Sequence, residues 1–222
     1  MRGVIVFDMD GVLVDVRESY REAIQRTVEH FAGVRITREH IQDWKNRGGW
    51  NDDWKLSTAI IRDRGATVEY GDVVRYFQSI FHGDGTDGLI LRESWIARDG
   101  LFDRLRDRFD LAVFTGREKW EAELTLARFA PELRFEPIVG SGEVSRHKPD
   151  PEGLNLIGRR MPDRPKWYVG DTVDDARCAR AAGVPFIGIA AGKAPELVSL
   201  FESERAIAIL EDINQLEAVL PA

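Results

Sequence analysis

The pattern of apolar and polar positions divides the chain into a mainly helical stretch and a stretch in which strands and helices alternate. An apolar run over residues 3–7 favours a buried strand, and it ends at the polar group Asp8, Asp10 and Gly11. Between residues 19 and 82, apolar side chains recur every three or four positions, which predicts four amphipathic helices. Residues 16–92 are therefore expected to form an all-helical module inserted after the first strand.

Beyond residue 93 the apolar pattern switches repeatedly between the periods of strands and helices. Helices are predicted between successive strands, and such single-helix connections produce right-handed crossovers and a parallel sheet with helices on both faces. The expected fold class is therefore α/β. The predicted strands in this part of the chain are residues 110–114, 135–139, 166–169, 185–189 and, at an edge of the sheet, 206–210.

Polar residues follow several of these strands directly. Asp8 and Asp10 follow the first strand, Thr115 follows the strand at 110–114, and Asp171 follows the strand at 166–169. In parallel sheets, ligands bind outside the carboxyl ends of the strands, so these four side chains are expected to converge. The carboxylates of Asp8 and Asp10 are close enough to repel each other, so either one of them stays protonated or a cation is held between them.

Composition and charge narrow the class of partner. A formal net charge of -7 argues against nucleic acid or an anionic membrane as the main partner, because both attract a clustered positive field. The single cysteine, Cys178, is expected to be a buried apolar side chain in a reducing compartment. With neither a secretory signal nor a long apolar span readable in the sequence, a cytoplasmic location is expected.

Four segments resemble, in order, the four motifs of the haloacid dehalogenase superfamily, and the likeness extends over nearly the whole chain. Short motifs recur by chance, so the resemblance rests on the order of the four segments and on their positions at strand ends. The segments are Asp8-x-Asp10-Gly11 for motif one, Thr115-Gly116 for motif two, Lys148-Pro149-x-Pro151 for motif three and Gly170-Asp171-x-x-x-Asp175 for motif four.

This resemblance implies a Rossmann-like three-layer core, residues 1–15 and 93–222, with a helical cap domain, residues 16–92. It also implies a magnesium ion bound by Asp8, Asp171 and the main-chain carbonyl of Asp10. Asp8 would be the nucleophile and Asp10 the general acid and base.

In the same resemblance, Thr115 and the backbone at Gly116 would bind a phosphoryl oxygen, and Lys148 would neutralise phosphate and carboxylates together. The second acid of motif four stays open between Asp174 and Asp175. Asp175 is expected to contact the metal, through water, or to orient Lys148. The neighbouring Arg117, at the head of a helix, is expected to be solvated, as is His147 in its loop.

The implied activity is hydrolysis of a small phosphorylated metabolite by a magnesium-dependent phosphatase, acting as a monomer or homodimer. The chain is similar to phosphoglycolate-phosphatase-like members of the superfamily. A sugar phosphomutase shares all four motifs and stays an alternative, as does a binding protein that recognises a phosphorylated ligand without turnover. A metal-free dehalogenase is the third alternative, but Asp10 argues against it, because the dehalogenases of the group lack this second acid.

Substrate choice is expected to lie in the loop between the second and third helices. Residues 44–54 contain three of the six tryptophans, and a functional interpretation of this loop places Arg47, Asn51 or Trp54 against the leaving group, with Arg47 and Asn51 as the predicted contacts. Trp44 and Trp54 are expected to pack between helices. Lys45 and Lys55 lie nearby, in no context that suggests a Schiff base.

Overall fold

A computed structural model describes residues 2–190, 192 and 195–221. By its internal contacts the chain divides into two compact units, Met1–Val14 with Trp95–Ala222, and Asp15–Ser94. The first unit contains the parallel sheet and the second is helical. That the helical unit acts as a cap over residues of the other unit stays a prediction.

A six-stranded parallel sheet forms the centre of the first unit. Its spatial order is β5-β4-β1-β6-β7-β8, and every neighbouring pair is parallel. The predicted α/β class is thereby confirmed, and the last strand does lie at an edge. The strands are β1 (Gly3–Phe7), β4 (Phe109–Phe114), β5 (Phe135–Val139), β6 (Lys166–Gly170), β7 (Phe186–Ile189) and β8 (Ala208–Leu210).

Helices connect these strands and cover the apolar sheet. Every residue of β1 is buried, as its unbroken apolar sequence predicts for a central strand of a parallel sheet. Phe7 packs edge-on against Phe102 and Phe135, with ring centroids 5.6 and 6.2 Å apart. The helices of this unit are α5 (Leu101–Arg108), α6 (Lys119–Phe129), α7 (Glu152–Arg160), α8 (Val173–Ala182) and α9 (Pro195–Ser203).

The helical unit contains the four predicted amphipathic helices, α1 (Tyr20–Ala32), α2 (Arg38–Arg47), α3 (Asp53–Asp63) and α4 (Tyr70–His82). Thr37 caps α2 by accepting a hydrogen bond from the backbone N–H of His40, and Asp52 caps α3 in the same way. Tyr20 packs against Phe81, with ring centroids 4.1 Å apart, so the predicted apolar stripes do face one another.

A second, two-stranded sheet was not predicted. It is formed by β2 (Val14–Asp15) and β3 (Ser94–Trp95). Strands of two residues are too short to show an alternating pattern, so the sequence carries no signal for them. Among the described residues, no helix combines the length and apolar character needed to cross a membrane.

Candidate active site

The site is built at the carboxyl end of β1, which lies between β4 and β6 in the sheet. Asp8 immediately follows the last residue of β1, and its backbone N–H donates to the carbonyl of Val169 at 2.8 Å. Only 4% of Asp8 is exposed. The chain then turns at Gly11, where φ is +73° and an added Cβ would overlap Oδ2 of Asp171. The turn therefore brings motif one against motif four.

Lys148 joins two of the predicted site acids. Its Nζ lies 3.0 Å from Oδ1 of Asp8 and 2.8 Å from Oδ1 of Asp175, and its side chain is 1% exposed. The ammonium also lies over the rings of Phe114 and Tyr168, at 4.9 and 5.4 Å from their centroids. Burial alone would lower the pKa of Lys148, but the carboxylates of Asp175 and Asp8 outweigh it and raise that pKa. Lys148 therefore remains a cation.

Both carboxylate oxygens of Asp175 accept hydrogen bonds. Its Oδ1 accepts hydrogen bonds from Tyr168 Oη at 2.7 Å and from Lys148, and its Oδ2 accepts from the backbone N–H and the hydroxyl of Thr172, at 3.0 and 2.6 Å. Gly170 makes this possible, because a Cβ there would overlap Asp175. A carboxylate has about four acceptor sites, and these four bonds use them. The sequence left two roles open for Asp175, and this arrangement favours the orientation of Lys148 over contact with a metal.

Three carboxylates lie close together at this point. One oxygen each from Asp8, Asp171 and Asp175 can be chosen so that all three lie within 4.8 Å of one another. The pKa of Asp8 is raised to about 8, mainly by burial; the charge of Lys148 opposes this rise, and the neighbouring carboxylates of Asp175, Asp10 and Asp171 contribute to it. The site thus has an excess of negative charge and hard oxygen donors, which fits a divalent cation such as Mg²⁺.

The two candidates for the second acid of motif four differ in their surroundings. Asp174, like Asp175, is buried, at 2% exposed. Within the part of the chain that the structure describes, Asp175 pairs with Lys148 and shares the cluster with Asp8 and Asp171. The geometry therefore favours Asp175 as the motif-four partner.

Motif two lies at the end of the neighbouring strand, β4. The backbone N–H of Thr115 donates to the carbonyl of Val139, and its hydroxyl oxygen accepts from the backbone N–H of Arg117 at 3.2 Å. Thr115 is buried, whereas Gly116 is exposed. The hydroxyl hydrogen is a separate donor from the lone pair used in this turn, so Thr115 can both close the turn and donate to an anion.

The expectation that Arg117 is solvated was wrong. Its side chain is 1% exposed, and its Nε and Nη2 lie 2.7 and 2.5 Å from Oδ1 of Asp10. Its Nη1 donates to Oγ1 of Thr125 at 3.0 Å. One signal in the sequence could have indicated this pairing. A cation just before a helix is unfavourable with the helix dipole, so an arginine there calls for a compensating partner.

Tyr168 is the second functional side chain that sequence reasoning missed. It is fully buried on β6, and its hydroxyl hydrogen-bonds Asp175. The available signal was a phenol between the apolar residues Trp167 and Val169 of β6, because a buried hydroxyl requires a hydrogen-bond partner.

The predicted specificity residues lie in the helical unit. Arg47 is the last residue of α2, with its guanidinium 5.0 Å from the ring centroid of Trp44, and Asn51 lies partly buried in the loop before α3. Trp44 and Trp54 are only partly buried, and Trp44 packs edge-on against Trp50 at 4.9 Å. Contact of Arg47 or Asn51 with a substrate stays a prediction.

Three further expectations concern Lys45 and Lys55 in the helical unit and His147 in the loop before α7. Lys45 forms an ion pair with Asp53, with 2.8 Å between Nζ and Oδ1. Lys55 is exposed and pairs with Asp52 at 3.3 Å. His147 is exposed in its loop, as expected.

The chain is similar to several known proteins. It is 35% identical over 196 residues to an imidazoleglycerol-phosphate dehydratase of Phytophthora nicotianae, a match that covers 83% of this chain but only 42% of that protein. It is 27% identical over 195 residues to the fructose-1-phosphate phosphatase YqaB of Escherichia coli, covering 83% of this chain and 95% of that one.

A solved structure supports the fold. A protein of Bacteroides fragilis assigned to the haloacid dehalogenase-like hydrolases superimposes with a TM-score of 0.78 at 22% identity, covering 97% of this chain and all of the other. The sequence model for the haloacid dehalogenase-like hydrolases matches residues 5–189, which include all four motifs. With this match, and with the strand-end acids and Lys148 gathered at one edge of a parallel sheet, the chain belongs to the haloacid dehalogenase-like hydrolase family.

Proposed function

We propose that the protein is a magnesium-dependent phosphatase that hydrolyses a small phosphorylated metabolite through a phosphoryl group carried on Asp8. One observation carries the proposal. Lys148 Nζ lies between Asp8 and Asp175, at 3.0 and 2.8 Å, beside the cluster of three carboxylates. A nucleophilic carboxylate, a fixed cation and oxygen ligands for a metal are the parts that phosphoryl transfer uses.

Asp8 and Asp10 would divide the chemistry between them. A carboxylate oxygen of Asp8 forms a bond to phosphorus as the bond to the leaving-group oxygen breaks, and Asp10 donates a proton to that oxygen. Water then attacks the phosphorus atom carried on Asp8, Asp10 takes a proton from this water, and phosphate and Asp8 are released. Asp10 thus gives up one proton in the first half-reaction and regains one from water in the second, while Asp8 forms and then loses its bond to phosphorus.

Lys148 and Thr115 would stabilise charge during both steps. The ammonium of Lys148 offsets the negative charge that the substrate adds to a site already rich in carboxylates, and the Thr115 hydroxyl donates to a phosphoryl oxygen. Asp8, Asp171 and the main-chain carbonyl of Asp10 would hold Mg²⁺. Asp175 would contact the ion through water or orient Lys148. When bound, the ion supplies positive charge that lets one anion approach another.

The similar proteins support a phosphate ester as substrate. The Escherichia coli relative, which this chain matches over nearly its whole length, is a fructose-1-phosphate phosphatase. We therefore place sugar phosphates first among the substrate candidates, with Arg47 and Asn51 as the residues that would contact the leaving group. Assembly as a monomer or homodimer is part of the same proposal.

The test is a panel of phosphorylated metabolites assayed with Mg²⁺ for free phosphate and for isomerised sugar phosphate. We expect release of phosphate that EDTA abolishes and added Mg²⁺ restores. Asp8→Asn should abolish turnover, whereas Asp99→Asn, at an exposed carboxyl in the same unit, should not. Isomerised product would identify a phosphomutase instead. Saturable binding of a phosphorylated ligand without turnover under any divalent ion would identify a binding protein, and turnover of a 2-haloacid in EDTA a dehalogenase.

A further inference from the structure

Arg117 forms an ion pair with Asp10, and the proposed reaction assigns no role to this arginine. Two donors of one guanidinium, Nε and Nη2, converge on the same oxygen, Oδ1 of Asp10, at 2.7 and 2.5 Å. The residues lie 107 positions apart in the sequence, on the loops that follow β1 and β4. Since these strands are neighbours in the sheet, the pair spans adjacent strand ends.

The guanidinium is held at both ends. Nη1 donates to Oγ1 of Thr125, which is 2% exposed on α6, at 3.0 Å. The Arg117 side chain is 1% exposed, whereas that of Asp10 is 30% exposed. Arg117 is therefore enclosed by protein, and Asp10 is the member of the pair that reaches toward solvent. Because the guanidinium of Arg117 is anchored at both ends, it has little freedom to move and constrains the carboxyl group of Asp10 that it binds.

We propose that Arg117 is a positioning residue that orients Asp10 for proton transfer. This inference rests on the proposed phosphatase function. By binding Oδ1, the guanidinium leaves Oδ2 as the oxygen that carries the proton. In the first step the Oδ2–H bond breaks and the proton moves to the leaving-group oxygen as the P–O bond breaks. In the second step Oδ2 takes a proton from the attacking water. Arg117 touches neither reacting group and acts through Asp10.

The test compares two aryl phosphates that differ in their need for a proton. Phenyl phosphate releases a basic phenolate, which benefits from a general acid, whereas 2,4-dinitrophenyl phosphate releases a weakly basic ion that leaves unprotonated. With Mg²⁺ and enzyme in excess, a stopped-flow instrument records leaving-group release in a single turnover. For Arg117→Met we expect a loss on the order of 10²-fold with phenyl phosphate and less than about 3-fold with the dinitrophenyl ester, because misplacing a general acid costs only the proton-transfer contribution.

Matched variants separate positioning from folding. Arg117→Lys keeps a cation and a donor, so its loss with phenyl phosphate should be smaller than that of Arg117→Met. Arg128→Met removes an exposed arginine from α6, the helix that carries Thr125, and should leave both rates unchanged. In an Asp10→Asn background, Arg117→Met should change the phenyl phosphate rate by less than about 2-fold, because the two residues act as one unit.

Three outcomes would overturn the inference: equal losses with the two esters, a full additional loss in the Asp10→Asn background, or a loss for Arg117→Lys as large as that for Arg117→Met. Each would show that Arg117 serves the fold alone. Failure of the phosphatase proposal itself would look different. A wild-type protein that releases neither leaving group with Mg²⁺ would refute that proposal, and with it the inference on Arg117.

Discussion

Replacement of the proposed nucleophile should stabilise the folded protein while it abolishes activity. Asp8 is 4% exposed, and its pKa is raised from 3.8 to about 8, first by burial and then by neighbouring carboxylates, against the effect of Lys148. In the unfolded chain the same carboxyl group ionises near its ordinary value. Asp8→Asn removes a group that favours the unfolded state and leaves Lys148 paired with Asp175.

The size of the effect follows from linkage. Between pH 3.8 and pH 7 the unfolded chain releases a proton that the folded protein retains, which at 1.36 kcal/mol per pH step amounts to about 4 kcal/mol. The amide must still be buried beside Lys148, so we expect Asp8→Asn to raise the free energy of unfolding in EDTA at pH 7 by about 2 kcal/mol or more. The stability of the wild type should fall as pH rises from about 4 to about 8, and that fall should be absent in the variant.

Urea unfolding followed by tryptophan fluorescence in EDTA measures both quantities. Asp15→Asn is the matched control. Burial alone would raise the pKa of Asp15, but hydrogen bonds from Arg17 outweigh it and lower that pKa, so this variant should lose up to about 1 kcal/mol. Added Mg²⁺ should stabilise the wild type more than Asp8→Asn, because only the wild type keeps the full set of ligands. An Asp8→Asn protein less stable than the wild type in EDTA at pH 7 would refute this reasoning.

Two further variants test the geometry around the site. Tyr168→Phe removes the buried hydroxyl that donates to Asp175 at 2.7 Å, so thermal or urea unfolding should show a loss of about 1.5–3 kcal/mol, and an unchanged stability would contradict the hydrogen bond. Gly11→Ala places a Cβ against Asp171 in addition to straining a positive φ, whereas Gly33→Ala adds the same kind of strain in open space. Phosphate release should therefore fall far more in Gly11→Ala, and equal activity in the two variants would show that Gly11 does not shape the metal site.

Apolar patterning carried most of the information about the fold. The continuous apolar run of β1 and the alternation of strands with helices predicted a parallel sheet, and the six-stranded sheet confirms it. The short strands β2 and β3 escaped prediction, because a period needs more than two residues to be recognised.

Part of the candidate site was also readable. The expectation that Asp8 and Asp171 meet at one edge of the sheet followed from a general property of parallel strands, and one carboxylate oxygen of each does lie within 4.8 Å of the other. Lys148 could be linked to them only through its resemblance to a motif, because a lysine in a loop carries no pattern of its own.

By itself, the sequence determined which apolar segments are buried, where strands end, and which family the four motifs resemble. The tertiary structure alone decided how the buried polar groups pair. Arg117 meets Asp10 across 107 residues, and Tyr168 donates to Asp175, although neither contact follows from a period along the chain. The physical reason is that periodicity reports the apolar environment of each position, whereas the partner of a buried charge depends on which loops the packed sheet brings together.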